Sequence, residues 1–183
     1  MLAKNTHTKA LHWLGKQLFN RKDPAAFFDP LLEQLNPMLV QGHTPARIEQ
    51  VIQETPDTQT FVLKPAARWA GFKAGQHVNI SVEVNGVLRS RTFSLSSSPE
   101  LWAQHGRVTL TIKRLPGGLV TNWLHDKPSR GAVIGLGEAF GGFLLPQPPR
   151  PVLFIAGGSG ITPVLSHLET MVTRDFRAPV TLL

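Results

Sequence analysis

The sequence predicts a mainly β fold. About six short antiparallel strands should form a closed barrel or sandwich with one short helix. A helical extension precedes them and one β-α-β unit follows. Three observations carry this reading. A two-fold alternation of apolar residues starts near Arg47 and recurs to about residue 136. Asn85-Gly86 sits between two such runs, and both central residues of a type I′ hairpin turn need positive φ. After the proline-rich stretch 146–151 the alternation gives way to a continuous apolar run and a glycine turn.

Residues 1–45 read as a helical extension. Leu11, Leu14 and Leu18 keep helical spacing, with Trp13 and Phe19 nearby. Asp29-Pro30 can open a second helix through Leu31, Leu32 and Leu35, which Asn36-Pro37 stops. These helices either pack on the main domain or make a peripheral membrane or partner contact. A mitochondrial presequence is the weaker reading, because Arg and Ser are scarce in this region.

The strands then follow in order. Residues 47–52 and 58–64 form the first two. Val78, Ile80, Val82 and Val84 alternate with His77, Asn79, Ser81 and Glu83, and Val87-Leu88-Arg89 continues after the turn. Val108, Leu110 and Ile112 alternate with Arg107, Thr109, Thr111 and Lys113, and residues 132–136 give another short strand. One segment breaks the pattern. Residues 119–126 have helical spacing directly after Gly117-Gly118, so a helix start there offers unpaired N–H groups to a phosphate.

The final unit begins with Val152-Leu153-Phe154-Ile155-Ala156, a strand expected to be covered on both faces. Gly157-Gly158-Ser159-Gly160 turns the chain, Pro163 to about Val172 reads as a helix, and 179–183 as the next strand. A parallel sheet needs more strands than this, so the sequence reads as a fragment. The expected organisation is 1–45 extension, 46–149 barrel and 150–183 the incomplete start of a nucleotide-binding domain.

Composition narrows the function. No stretch reaches the roughly 18 apolar residues of a membrane span, and no secretory signal is legible, so a cytoplasmic protein is expected. The 183 residues include no cysteine, which excludes disulfides and a thiolate-ligated iron–sulfur cluster in this chain. His7, His12, His43, His77, His105, His125 and His167 are dispersed without metal-ligand spacing, so no metal is expected. The net charge of +7 is scattered, and aromatic residues do not interleave with basic clusters, which argues against nucleic acid. It suits an ordinary solvated surface, steering of an anionic cofactor, or docking of an acidic redox partner.

Four motifs carry chemistry. In Arg91-Thr92-Phe93-Ser94, the Arg and the aromatic residue fall on one side of a strand. Gly117-Gly118-Leu119-Val120-Thr121 is the helix-start phosphate site. Gly137-Glu138-Ala139-Phe140-Gly141-Gly142-Phe143 is a glycine-rich loop closing the barrel. Gly157-Gly158-Ser159-Gly160-Ile161-Thr162-Pro163 turns from strand to helix, where a dinucleotide would bind, although it departs from the G-x-G-x-x-G fingerprint. Taken singly, each also reads as ordinary strand or turn residues.

In this order and spacing the four resemble the ferredoxin–NADP⁺-reductase superfamily, over roughly residues 46–183. Arg91-Thr92-Phe93-Ser94 is similar to that family's Arg-x-Tyr-Ser flavin motif, with Phe93 in place of Tyr. The resemblance implies a six-stranded Greek-key barrel binding FAD, followed by a Rossmann-like NAD(P) domain. It implies that Arg91 meets the flavin pyrophosphate, Phe93 packs by the ring system, and Ser94 lies near flavin N5 as the candidate catalytic residue. Gly118 to Thr121 match the segment that wraps the pyrophosphate. Gly157, Gly158, Gly160, Ile161 and Thr162 match the segment facing the nicotinamide nucleotide, with Thr162 a nicotinamide contact. The lost hydroxyl at Phe93 costs on the order of 1 kcal/mol of binding. The family's late Cys-Gly-Pro segment is absent.

The implied activity moves electrons from NAD(P)H through FAD to an iron–sulfur or other one-electron acceptor, in the manner of reductases serving oxygenases and desaturases. Two alternatives stand beside it: a flavin-binding fragment without pyridine-nucleotide activity, and a non-enzymatic basic β-barrel that serves as an interaction module.

Overall fold

The computed structural model describes residues 44–127 and 130–183. The expected helical extension lies outside the described residues, apart from its last two positions. Those two are strand: β1 runs from Thr44 to Thr55, because Thr44 and Pro45 already pair with Leu136 and Gly135. The expected start of the barrel therefore moves back by two residues.

β2 (Thr58–Pro65) folds back on β1 through a turn at Pro56-Asp57. The Asp57 carboxylate accepts hydrogen bonds from the Thr55 and Thr58 hydroxyls at 2.8 and 3.1 Å. β3 (His77–Val84) and β4 (Val87–Ser94) form the expected hairpin, with Asn85 at φ 53° and Gly86 at φ 74°. β5 (Val108–Lys113), α2 (Leu119–Asp126) and β6 (Val133–Leu136) follow. Before β5 comes a helix that the periodicity does not predict, α1 (Pro99–His105). Seven residues are too few for an apolar stripe. The signal is in its ends: Ser98 at the N-cap, Pro99 and Glu100 in the first turn, and Gly106 in the left-handed region at the C-terminus.

The six strands form one antiparallel sheet in the order β4-β3-β6-β1-β2-β5. The chain leaving β4 bonds to β5, with the Ser96 N–H donating to the Thr109 carbonyl at 2.9 Å. Hydroxyls of Ser96, Thr109, Thr111 and Thr60 continue the seam across β5 to β2. The barrel closes there. Its core holds Ile48, Phe61, Leu63, Val78, Ile80, Val108 and Leu110, each 1% exposed or less, together with Val120 and Leu124 of α2.

β7 (Val152–Phe154), a 3₁₀ turn at Gly158–Gly160, α3 (Ile161–Thr173) and β8 (Val180–Leu182) form the expected β-α-β unit, with β7 and β8 parallel. β7 is shorter than the apolar run, and it is not covered on both faces. Leu153 is 56% and Ile155 77% exposed, because α3 packs on one side of a two-stranded sheet only.

α3 is fastened to the barrel by polar contacts. The Ser166 hydroxyl donates to the Ser97 carbonyl at 2.6 Å, and the Ser98 N–H donates to the Glu169 carboxylate at 2.8 Å. Arg174 pairs with Glu100 at 2.6 Å. Burial raises the Glu100 pKa, but the Arg174 guanidinium outweighs it and holds the carboxyl below its ordinary range.

Candidate functional site

The β3–β4 register settles which side chains share a face. Phe93 lies across from Val78 and Arg91 across from Ile80. Arg91 and Phe93 thus sit on the side of the buried Val78 and Ile80, as the spacing predicts. Phe93 is half-buried against the core cluster, whereas Arg91 is exposed and its guanidinium donates to the Ser90 carbonyl at 2.7 Å. No described carboxylate pairs with Arg91.

Thr92 and Ser94 point to the opposite face. The Thr92 hydroxyl donates to Asn79 Oδ1 at 2.7 Å, so it braces the hairpin. Ser94 pairs with His77 in the register and is half-buried. The His77 ring meets Phe140 edge-on at 4.1 Å, and the His77 and Phe140 backbones exchange two hydrogen bonds. The glycine-rich loop 137–143 is therefore anchored beside Ser94, a link that spacing along the chain does not reveal.

α2 packs against β3 and β4. Its N-cap is Gly118, which has no side chain to satisfy the first amides. The first intrahelical bond into the cap is Asn122 N–H to Gly118 O at 3.1 Å, and among the described residues the N–H groups of Leu119, Val120 and Thr121 have no backbone acceptor. Val120 and Thr121 are buried and Leu119 is half exposed, so this segment offers backbone donors rather than side chains. The Thr121 hydroxyl turns back to the Gly118 carbonyl at 3.4 Å. The buried Asn122 Oδ1 has no hydrogen-bond partner among the described residues. Among the described residues, aligned N–H donors at the start of α2 and the unpaired Arg91 guanidinium on the strand it packs against are the kind of groups that suit an anion.

The second glycine turn is also open. A methyl group on Gly157, Gly158 or Gly160 would meet nothing within 4 Å, and Gly158 has φ 55°. These glycines keep a space clear rather than resolve a packing conflict. Ile161 packs into the second hydrophobic cluster. Thr162 is buried and its hydroxyl donates to the Ser159 carbonyl at 2.9 Å, so it braces the turn from inside instead of projecting outward.

Sequence reasoning missed the residues that hold the two glycine motifs together. Phe143, at the end of the first glycine loop, presents its ring edge-on to His167 of α3, and its carbonyl accepts a hydrogen bond from His167 Nε2 at 3.0 Å. His167 also stacks on Phe154 of β7 at 5.5 Å.

A family model described as the oxidoreductase FAD-binding domain matches residues 45–143. An NADPH oxidoreductase of Mycobacterium tuberculosis is 36% identical over 149 residues, covering 80% of this chain and 39% of that protein. The chain therefore spans well under half the length of this relative. Phthalate dioxygenase reductase, described as a modular structure for electron transfer from pyridine nucleotides to a 2Fe–2S centre, superposes with a TM-score of 0.64 at 25% identity. The match covers 77% of this chain and 43% of that one. A ferredoxin–NADP⁺ reductase of Neisseria gonorrhoeae, with FAD and NADP bound, gives a TM-score of 0.64 at 25% identity, over 78% of this chain and 56% of that one.

Proposed function

This chain belongs to the oxidoreductase FAD-binding domain family, and from that premise we propose that it passes electrons from NAD(P)H through FAD to a one-electron acceptor. The observation that carries the reading is that Arg91 sits on β4, the strand against which the helix with the uncapped start, α2, packs.

The described residues fit a flavin dinucleotide. The Arg91 guanidinium and the amides of Leu119, Val120 and Thr121 supply a cation and aligned donors for its phosphates. Phe93, on the same strand face, offers a half-buried flat surface to a ring system. Ser94 faces the other way, beside His77 and the anchored glycine loop, and in this reading its hydroxyl is the hydrogen-bond partner of flavin N5. When bound, the flavin supplies hydride acceptance and one-electron release, while the protein binds, orients and excludes water. Residues 150–183 form the pyridine-nucleotide side, with Gly157, Gly158 and Gly160 leaving room for the nucleotide and Thr162 holding the turn's shape.

The acceptor in this reading is an iron–sulfur domain or protein of ferredoxin type, within an oxygenase or desaturase system. Support comes from the description of phthalate dioxygenase reductase and from the absence of cysteine here, which requires such a cluster to lie elsewhere. A reductase drawing on NAD(P)H works where that cofactor is kept, so the proposed location is the cytoplasm. No helix among the described residues is long and apolar enough to cross a membrane.

The experiment is to purify the chain, record its visible absorption, and titrate the apo form with FAD. Wild type should be yellow and bind FAD, whereas Arg91→Gln should lose at least about ten-fold in affinity. A colourless chain that FAD neither binds nor stabilises against heat would falsify the reading. NADH and NADPH oxidation with a dye acceptor then tests the nucleotide half.

A further inference from the structure

The glycine-rich loop is pinned at two points, and a histidine holds each. At one end the His77 and Phe140 backbones exchange two hydrogen bonds, and the two rings meet at 4.1 Å. Between the ends, Gln76 Nε2 donates to the Gly141 carbonyl at 3.4 Å. At the other end His167 Nε2 donates to the Phe143 carbonyl at 3.0 Å. A methyl group on Gly75 would lie 1.8 Å from that same carbonyl. Residues 140–143 therefore lie as a strap along residues 75–77.

Burial does not hold this strap, since Phe140 and Phe143 are 43% and 50% exposed. Among the described residues, the bond from His167 is the one hydrogen bond that reaches Phe143 from outside the loop. His167 is itself fixed, for it is buried and its ring stacks on Phe154 of β7. It belongs to α3, which begins at Ile161 directly after the glycine turn. Thr162 lies about 7.5 Å back along the helix axis.

The other fastening leads to the flavin edge. His77 and Ser94 lie directly across from each other on β3 and β4, so their side chains share a face with Cβ atoms about 5 Å apart. The middle of the strap cannot absorb a shift freely. A methyl group on Gly141 would lie 2.6 Å from His77 Cε1, so this backbone already rests on the His77 ring.

We propose that His167 is a positioning residue for Ser94. By fixing the Phe143 end of the strap it sets, through Phe140 and His77, where the Ser94 hydroxyl stands. The helix that follows the nucleotide turn thereby shapes the flavin edge. The functional consequence rests on the flavin reading above; the link from His167 to His77 does not.

The test uses the full chain, with and without FAD, as wild type, His167→Leu, His167→Gln, Phe140→Ala and the double variant His167→Leu with Phe140→Ala. In flavin-free His167→Leu, amide exchange at His77 and Phe140 should quicken about ten-fold, while the β1 and β2 amides stay within about two-fold of wild type. His167→Leu and Phe140→Ala should each weaken FAD about five-fold, and the double variant little more than either alone, because both release one strap. His167→Gln keeps an N–H donor and should recover most of the lost affinity. If His167→Leu does not fold, Phe143→Ala reads the same link from a half-exposed position and should quicken the same two amides. Unchanged exchange at His77 and Phe140, quickening spread evenly over the barrel, or losses that multiply in the double variant to about 25-fold overturn the proposal while leaving the flavin site standing. A wild-type chain that binds no FAD sinks the flavin reading, and the exchange rates still decide the link between the two histidines.

Discussion

A methyl group placed on the α-carbon of Gly75 would lie 2.4 Å from Nε2 of His167. It would also lie 1.8 Å from the Phe143 carbonyl oxygen, the acceptor of the His167 hydrogen bond. Gly75 is thus the floor on which the glycine-rich loop and α3 meet. Its φ of 87° adds a second reason for glycine. Gly75→Ala should cost about 3 kcal/mol, combining left-handed strain with overpacking against backbone. Urea denaturation measures it. A loss below about 1 kcal/mol would mean that the ring and the loop give way together.

His167 should make stability depend on pH. The residue is 1% exposed, Nε2 donates to the Phe143 carbonyl, and among the described residues Nδ1 has no partner. Burial holds the imidazole below its ordinary value of 6.5, and the Phe143 hydrogen bond offsets this only in part. The unfolded chain therefore binds the proton first as pH falls. Stability should be full above about pH 6.5 and decline below it, down to the folded-state pKa. The carboxyl of Glu100 titrates below its ordinary value of 4.5, outside that window. Denaturation at about pH 5 and pH 7.5 should show a larger loss for wild type than for His167→Gln. Equal losses would place the titrating group elsewhere.

Ser166 should matter more than its size suggests. It is fully buried, and its hydroxyl spans from α3 to the Ser97 carbonyl of the barrel. Ser166→Ala strands that carbonyl and should cost about 1–3 kcal/mol. Hydrogen exchange should show the loss concentrated in α3 and the 96–100 segment. Uniform loosening of the barrel strands would show instead that α3 is not the element released.

These contacts mark the boundary of what was legible in the sequence. The hairpin at Asn85-Gly86, the inward Val78, Ile80 and Val82, and the glycine start of α2 are local, and period and turn chemistry suffice for them. α1 escaped because its seven residues carry end signals but no stripe. Leu153 and Ile155 are exposed within these 183 residues, because an apolar run reports only that burial is favourable, not what supplies it. At the site, same-face placement of Arg91 and Phe93 followed from alternation. The brace made by Thr162 and the union of Gly75, Phe143 and His167 did not, since those contacts join residues that only the closed barrel brings together.

Gly118 should be coupled to Thr121. A methyl group at Gly118 would lie 2.3 Å from the Thr121 hydroxyl oxygen and 3.2 Å from Leu115. Gly118→Ala should cost about 1–2 kcal/mol and weaken FAD binding by turning the first amides of α2. Because the Thr121 oxygen makes the closest contact, Gly118→Ala with Thr121→Ala should cost less than the two single changes added together. A double-mutant cycle by thermal melting reads this directly, and strict additivity would mean that the hydroxyl rotates out of the way.

Phe93→Tyr gives the sharpest test of how the aromatic ring is used. Phe93 shares a face with Arg91, yet it is half-buried, so part of its ring stays outside the core. A hydroxyl added at the open edge meets water when the site is empty and can donate to a phosphate or ribityl oxygen when FAD is bound. Melting of the flavin-free protein should then be unchanged, while FAD affinity rises about five-fold, the equivalent of one net hydrogen bond near 1 kcal/mol. If instead the para position points into the core, the buried hydroxyl lacks a partner and the flavin-free protein should lose about 1–3 kcal/mol. Calorimetric titration with FAD, read beside melting of the apo form, separates the two orientations, and only the first agrees with a ring that lines the cofactor site.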